Sequence, residues 1–271
     1  MSSRCIKGLR ALLVSVLMLA LCGGCTVEPA SRPAEIIVFA AASLTESFTE
    51  MAEAFEQKEG IKVMLNFAGS QALATSVRQG TKADVYASAN MKYMEDLIEA
   101  EIIEESAVFA KNRLVVCRNK GSEREIKDLE DLAKDDLRLI TGDQAVPVGR
   151  YFYAAVDKAV KDKRIDEAVR QKIFANIRSE EVNVKDIVGK VILGEADAGV
   201  VYGTDIHENN RDRLETVEIE ILEEVAAEYP IGVVRTGVLK NEARLFVEFV
   251  LSDAGRRILK KHGFELAEGG R

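Results

Sequence analysis

Short apolar stretches alternate along this chain with segments in which apolar residues recur every three or four positions. The first pair is IIVFAA at 36–41 and the segment 45–59, in which Phe48, Met51 and Phe55 fall on one face of a helix. This pattern predicts a buried strand and a helix packed against it. Repetition of such pairs is typical of α/β layering with parallel strands.

The alternation continues to the end of the chain. Further strands are predicted at 62–68, 83–88, 113–119, 137–143, 198–202 and 215–221, and further helices at 71–79, 91–100, 125–133, 150–161, 165–175, 184–193, 240–251 and 253–262. No Gly/Ser-rich linker marks a domain boundary, so the pattern by itself fits one sheet or two α/β lobes equally well.

The N-terminus departs from this pattern. Three basic residues precede the apolar run ALLVSVLMLALCGGC, which is too short for a membrane span and is typical of a secretory signal. The run ends in LCGGC, which resembles a bacterial lipobox, so residues 1–24 are predicted to be a signal peptide and Cys25 the lipidated first residue. Cys22 is unusual in a lipobox, which leaves a non-lipidated exported form open. A redox or metal C-x-x-C reading has little weight at the end of a signal.

The mature chain is acidic. Removal of residues 1–24 leaves 34 Lys and Arg against 45 Asp and Glu, a net charge of −11, and such a chain is a poor candidate for nucleic-acid binding. Residues 25–34 contain two of the four prolines and are predicted to be a tether. Cys117 is then the one unlipidated cysteine; it lies in an apolar stretch and is predicted to be a buried, unreactive thiol.

The usual catalytic signatures are missing from the sequence. His207 and His262 are the two histidines, and both stand among polar residues, which is typical of surface positions. The sequence has no H-E-x-x-H, G-x-S-x-G, Walker or dinucleotide-binding motif. It therefore predicts no acid–base pair, no metal cage and no cofactor.

Serines stand where two predicted strands give way to helices. Ser43 and Glu46 have the S-x-x-E spacing of a capping box. Ser70 follows Gly69, which allows a close approach of backbone and ligand. A helix start concentrates unpaired N–H groups and a partial positive charge, so both serines could bind an anion without a basic side chain. A purely structural cap also explains each of them.

Three further positions have the same character. Val148 stands beside Pro147 near a predicted helix start, and Val184 begins another helix, so both can offer free main-chain N–H groups. Tyr202 ends a predicted strand, where α/β folds present groups to ligands. Each signal is weak alone.

Six stretches taken in order give the sequence a specific resemblance. They are VFAAASLTESF, FAGSQALATSVRQGTKADVYASAN, VPVGRY, EVNVKDIVGKVILGEADAGVVYGTD, EYPIGVV and FVEFVLSDAGRRILKKHGF. The chain in this respect resembles the periplasmic molybdate-binding proteins of ABC transporters, a branch of the type II solute-binding family. The resemblance implies a two-lobed α/β fold with the ligand in the cleft between lobes. It implies a first lobe of residues 35–113 and 232–271 and a second lobe of 114–231.

The resemblance also implies a site and a function. The family holds its oxyanion with two serine hydroxyls, main-chain amides at helix starts and a tyrosine hydroxyl. The matching positions are Ser43, Ser70, Val148 (amide), Val184 (amide) and Tyr202. The implied protein is an exported, lipid-anchored monomer in the periplasm or at the outer face of the cell membrane, and it passes molybdate or tungstate to an ABC transporter permease. It is not an enzyme, and molybdenum enters only within the ligand.

Rival hypotheses stay open at this point. A tungstate- or sulfate-binding protein would have the same fold. An exported hydrolase using Ser43 or Ser70 as nucleophile would need a base that the sequence does not supply. A surface adhesion or scaffold module would bind no oxyanion at all.

Overall fold

The computed structural model describes residues 33–267, and the predicted signal peptide, Cys25 and most of the predicted tether lie outside them. Two β-sheets organise the described chain. The first has the strand order β11-β4-β10-β3-β1-β2 and the second the order β7-β6-β8-β5-β9. The strands are β1 (Glu35–Ala41), β2 (Lys62–Ala68), β3 (Val85–Ala87), β4 (Ile103–Asn112), β5 (Leu114–Asn119), β6 (Leu139–Gly142), β7 (Ile177–Glu181), β8 (Ala198–Tyr202), β9 (Leu214–Val217), β10 (Ala227–Val234) and β11 (Glu265–Leu266).

Helices connect most of these strands. They are α1 (Thr45–Glu59), α2 (Ser70–Arg78), α3 (Met91–Glu99), α4 (Pro147–Lys161), α5 (Glu167–Ala175), α6 (Val184–Leu193), α7 (Glu220–Glu223), α8 (Lys240–Leu251) and α9 (Asp253–Lys261), with short 3-10 helices at Ala42–Leu44, Glu130–Ala133 and Gly203–Asp205. The two-lobed α/β fold implied by the sequence is confirmed. No helix within residues 33–267 combines the length and the apolar character that a membrane crossing requires.

The sheets are mixed rather than wholly parallel. β1 pairs in parallel with β2 and β3, and β6 pairs in parallel with β7 and β8. β10 runs antiparallel to β3 and β4, and β5 runs antiparallel to β8 and β9. These antiparallel pairs involve the strands by which the chain passes between the sheets. β4 continues into β5 through Arg113, without the helix that a parallel connection needs.

Several local predictions were wrong. The segment 125–133 contains only the short 3-10 helix, and 215–221 divides between β9 and α7. β4 and β7 were not predicted, because burial along β4 does not alternate and β7, with the sequence IRSEE, is almost wholly polar. β10 pairs in the first sheet over 227–234, including residues that the sequence interpretation assigned to the second lobe.

The helical face predicted from periodicity is the face that packs on the first sheet. Phe48, Met51 and Phe55 are fully buried, and Phe246 of α8 lies with its ring centroid 6.1 Å from that of Phe48 and 5.2 Å from that of Phe55. Full burial of each such side chain stabilises the fold by about 1.5–3 kcal/mol. This core fixes α1 against β1 and thereby places the chain segment that joins them.

Candidate functional site

A small cavity lies where the ends of elements from both sheets meet. The space that the centre of a water molecule can occupy in it is about 20 Å³, more than the roughly 10–15 Å³ that one water requires. Its lining consists of uncharged residues, most of them with small side chains, and it contains all five positions proposed from the sequence. The lining residues are Ala41, Ala42, Ser43, Gly69, Ser70, Ala89, Val146, Pro147, Val148, Asn183, Val184 and Tyr202.

Ser43 reaches the cavity from the 3-10 helix that joins β1 to α1. Its side chain is 4% exposed, and its Oγ lies 2.9 Å from the hydroxyl oxygen of Tyr229. The predicted capping box is wrong: α1 begins at Thr45, neither helix start has a side-chain cap, and Glu46 turns to another partner. A 3-10 turn before α1 shifts the helix start, and the Ser43 hydroxyl contacts Tyr229 and not the helix N–H groups.

Ser70 is the first residue of α2, and Gly69 precedes it in an extended conformation. The Ala89 N–H donates to Ser70 Oγ over 3.1 Å, and the Tyr86 hydroxyl donates to the Ser70 carbonyl over 3.0 Å. Both contacts are buried, so the serine is held in place at the positive end of the helix dipole. A Cβ on Gly69 would collide with the main-chain carbonyl of Val182, which explains why glycine stands there.

Val148 and Val184 bring main-chain amides from the second sheet's side. Val184 is the first residue of α6 and Val148 the second residue of α4, and their side chains are buried. The first N–H groups of a helix have no partner inside it. Asn183 caps α6 by accepting from the Asp186 N–H over 3.1 Å, which uses one deeper amide and leaves the Val184 N–H at the cavity.

Tyr202 supplies a buried hydroxyl to the cavity. Its side chain is 1% exposed, and among the described residues its hydroxyl oxygen has no hydrogen-bond partner. Burial raises the pKa of Tyr202 well above its usual value, so the group stays a neutral O–H. An unsatisfied buried hydroxyl is costly, and one that lines a polar cavity is a group that a ligand can satisfy.

The cavity lining includes no Lys, Arg or His among the described residues. The nearest lysine in sequence, Lys185, is directed to carboxylates: its Nζ lies 2.8 Å from Glu46 Oε2 and 3.3 Å from Asp205 Oδ1. His207 Nε2 lies 3.1 Å from Glu46 Oε1. Because the Lys185 charge is engaged by these carboxylates, what remains at the cavity is a set of neutral donors.

This ion-pair network leads to a prediction about stability. Burial acts to raise the pKa of Glu46, but the charge and hydrogen bond of Lys185 outweigh it, and the pKa lies below its usual value. Such a carboxylate contributes stability that is fully present above its unfolded pKa and is lost as the pH falls through its folded pKa. Lys185→Met is therefore expected to lower the free energy of unfolding by about 1–3 kcal/mol at pH 7, and by less below about pH 4.

Urea unfolding at a series of pH values measures this difference. The matched control is Lys92→Met, which removes an exposed pair with Asp96 at 2.6 Å and is expected to cost about 0–1 kcal/mol. A Lys185 loss no larger than the control, or one independent of pH, contradicts the prediction.

The sequence predictions for the cysteine and the two histidines have different outcomes. Cys117 is fully buried, and burial raises its pKa to about 12, which confirms an unreactive thiol. His207 and His262 are not ordinary surface residues, because each is partly buried against a carboxylate: His207 against Glu46, and His262 with its Nε2 2.8 Å from Glu50 Oε2. Their carboxylate partners lie far away in sequence, which local composition does not report.

Contacts also join the two sides of the cavity at its rim. Gln71 of α2 donates from Nε2 to the Val182 carbonyl over 2.8 Å, and the Tyr93 hydroxyl donates to the Ala145 carbonyl. The described residues contain no cluster of three or more His, Cys, Asp or Glu side chains suited to a metal ion.

Sequence reasoning missed two residues that shape the site. Asn183 lines the cavity and caps α6, and its place directly before a helical pattern is a recognisable N-cap signal. Tyr229 contacts Ser43 from β10; it lies 186 positions away, and no local pattern relates the two.

Two α/β sheets that share a small cavity of neutral hydrogen-bond donors define the class of two-lobed solute-binding proteins. The chain belongs to the family described as bacterial extracellular solute-binding protein, whose model matches residues 36–265. The resemblance seen in the sequence is thereby confirmed.

Individual relatives are consistent with this family. The chain is 35% identical over 267 residues to the molybdate-binding protein ModA of Mycobacterium tuberculosis, covering 95% of this chain and 97% of that protein. The fold is similar to that of the periplasmic molybdate-binding protein of Azotobacter vinelandii, with a TM-score of 0.69, 18% identity, and coverage of 86% and 100% of the two chains. It is also similar to the sulfate-binding protein SubI of Mycobacterium tuberculosis, with a TM-score of 0.77, 16% identity, and coverage of 87% and 88%.

Proposed function

We propose that this protein captures molybdate outside the cytoplasm and delivers it to the permease of an ABC transporter. The observation that carries the proposal is the buried Tyr202 hydroxyl, which has no hydrogen bond within residues 33–267, in a cavity lined by two serines and two helix starts. The identity to a molybdate-binding protein over nearly the whole chain supports the choice of ligand. The ligand residues we propose are Ser43, Ser70, Tyr202 and the amides of Val148 and Val184.

Neutral donors at helix starts suit a fully deprotonated tetrahedral dianion. Hydrogen bonds to an ionised acceptor are stronger than neutral ones, and a low dielectric strengthens them further. A protonated oxyanion such as hydrogen phosphate would bury an O–H that lacks an acceptor in a lining of donors. Rejection of sulfate then rests on size, because a smaller ion cannot touch all donors at once.

A hydrolase role finds no support at these serines. Among the described residues, the hydrogen-bond partners of the Ser43 and Ser70 hydroxyls are the Tyr229 hydroxyl and the Ala89 N–H. Neither group can take up a proton at neutral pH, so neither serine has the base that a nucleophile requires. We therefore propose transport binding without catalysis.

A thermal-shift screen across tetrahedral oxyanions tests the function. A ligand at one hundred times its Kd stabilises the folded state by about 2.7 kcal/mol, so saturating molybdate is expected to raise Tm by about 5–10 °C. Tungstate, which has nearly the same size and charge, is expected to act alike, and sulfate and phosphate much less. Sodium chloride at equal ionic strength is the control.

Each other outcome identifies a rival. A larger shift with sulfate than with molybdate favours a sulfate-binding protein, and no shift with any oxyanion favours an adhesion or scaffold module.

Export as a lipid-anchored monomer is a separate part of the proposal. Mass spectrometry of the mature N-terminus tests the lipid anchor: an acylated Cys25 supports the anchor, and an unmodified mature terminus contradicts it.

A further inference from the structure

The hydrogen bond between Ser43 and Tyr229 has a direction that matters for the cavity. The two hydroxyl oxygens lie 2.9 Å apart, and either could donate. A hydroxyl has a single hydrogen to donate and can accept as well. If Ser43 donates to Tyr229, it has no hydrogen left for a ligand; if Tyr229 donates to Ser43, the Ser43 hydrogen stays available to the cavity.

Asn112 fixes the direction from the other side of Tyr229. The Arg113 N–H donates to Asn112 Oδ1 over 3.0 Å, so this atom must be the amide oxygen and the NH₂ group faces the opposite way. Asn112 Nδ2 then donates to Thr204 Oγ1 over 2.7 Å and, in a longer contact of 3.4 Å, to the Tyr229 hydroxyl. The Tyr229 oxygen is therefore an acceptor toward Asn112.

The hydrogen of the Tyr229 hydroxyl must also be placed. Tyr229 is fully buried, and burial raises its pKa, so the hydroxyl keeps its hydrogen. Among the described residues, Ser43 Oγ is the acceptor that forms a hydrogen bond with it; the Tyr202 hydroxyl lies near Tyr229 but is not placed to form one. Donation to Ser43 satisfies this hydrogen and leaves the Ser43 hydrogen at the cavity, where a water or a ligand can accept it. Tyr229 does not line the cavity, so the reverse direction would leave its hydrogen buried and unpaired at a cost of about 1–3 kcal/mol.

Ser70 has the equivalent arrangement through a different donor. Its Oγ accepts from the Ala89 main-chain N–H, which has no alternative role as acceptor. The Ser70 hydrogen is thus also left for the cavity. Both serine oxygens receive one hydrogen bond from the protein, and both hydroxyl hydrogens remain unassigned.

We propose that Tyr229 and Asn112 are positioning residues that orient the Ser43 hydroxyl as a donor toward the bound oxyanion. This hydrogen-bond relay runs from Asn112 through Tyr229 to Ser43. Ser43 lines the cavity and Tyr229 does not. This inference rests on the proposed function. It explains how a serine, which could equally accept, becomes a dedicated donor and so contributes to selection for an unprotonated ion.

A double-mutant cycle with molybdate calorimetry tests the relay. Tyr229→Phe keeps the ring and removes the hydroxyl, and it is expected to weaken molybdate binding at least fivefold in the wild-type background. In a Ser43→Ala background the same change is expected to alter the affinity by less than twofold, because its route to the ligand is gone. Tyr153→Phe, which removes a remote hydroxyl bound to Glu180, is the matched control and should leave the affinity unchanged.

The outcomes separate the relay from the function. If the wild type does not bind molybdate, the proposed function fails. If the wild type binds and Tyr229→Phe has no effect, or has the same effect in both backgrounds, the relay is overturned, because the loss does not pass through Ser43. If near-UV circular dichroism shows that Tyr229→Phe is not folded, Asn112→Asp replaces it: this near-isosteric change removes the donor to Tyr229, and its effect should again shrink in the Ser43→Ala background.

Discussion

Replacing Tyr202 with phenylalanine is expected to weaken molybdate binding by about ten- to a hundredfold while making the ligand-free protein slightly more stable. A hydrogen bond to a charged group is worth about 1.5–3 kcal/mol, which gives this range of affinity. In the ligand-free protein the same hydroxyl is buried without a partner among the described residues. Its removal abolishes a desolvation cost and is expected to raise the free energy of unfolding by about 1 kcal/mol.

The expected changes in affinity and in stability have opposite signs, so a general loss of structure cannot produce both. Isothermal titration calorimetry measures the affinity, and urea unfolding without ligand measures the stability. Tyr153→Phe serves as the control, since its hydroxyl lies 2.6 Å from Glu180 at an exposed position. A parallel fall of affinity and stability would mean that the Tyr202 hydroxyl supports the fold, and an unchanged affinity would remove it from the site.

Replacing Ser70 with alanine is expected to weaken molybdate binding at least tenfold. The change removes one donor to the ion and leaves the first-turn amides of α2 in place, so the site is damaged and not abolished. It also deprives the Ala89 N–H of its acceptor, which is expected to cost about 1–3 kcal/mol of stability.

The matched control for Ser70 lies on the same helix. Ser76→Ala makes the same chemical change at an exposed position, where the hydroxyl donates to the Ala72 carbonyl over 3.0 Å. Calorimetry on both variants, at temperatures where both are folded, separates ligand contact from helix stability. Equal affinities for the two variants would contradict the role of Ser70.

The net charge of −11 on residues 25–271 repels an anion, but this repulsion falls off with distance. At physiological ionic strength, charges farther away than about 8 Å are largely screened at the surface. Lys185, which lies close in sequence to Val184, is compensated by Glu46 and Asp205. Close to the proposed ligand, oriented N–H and O–H dipoles would decide the interaction, and a buried site is screened much less than the surface.

The sequence by itself determined most of the local elements, with errors at 125–133, at 215–221 and in the two strands β4 and β7. The spacing of Phe48, Met51 and Phe55 predicted the buried face of α1, because helical periodicity is a local property. The position of Ser70 at the start of α2 was likewise predicted from the local sequence. The family resemblance then indicated that five such ends meet at one site, and the structure brings all five to one cavity.

Only the tertiary structure decided which distant groups pair. Glu46 meets Lys185 across 139 positions, and Ser43 meets Tyr229 across 186. Local spacing had suggested that Ser43 and Glu46 cap a helix together, yet each has a stronger partner from another part of the chain. The physical reason is that periodicity reports which face of an element is buried, whereas the direction of a buried hydroxyl depends on what the fold packs behind it.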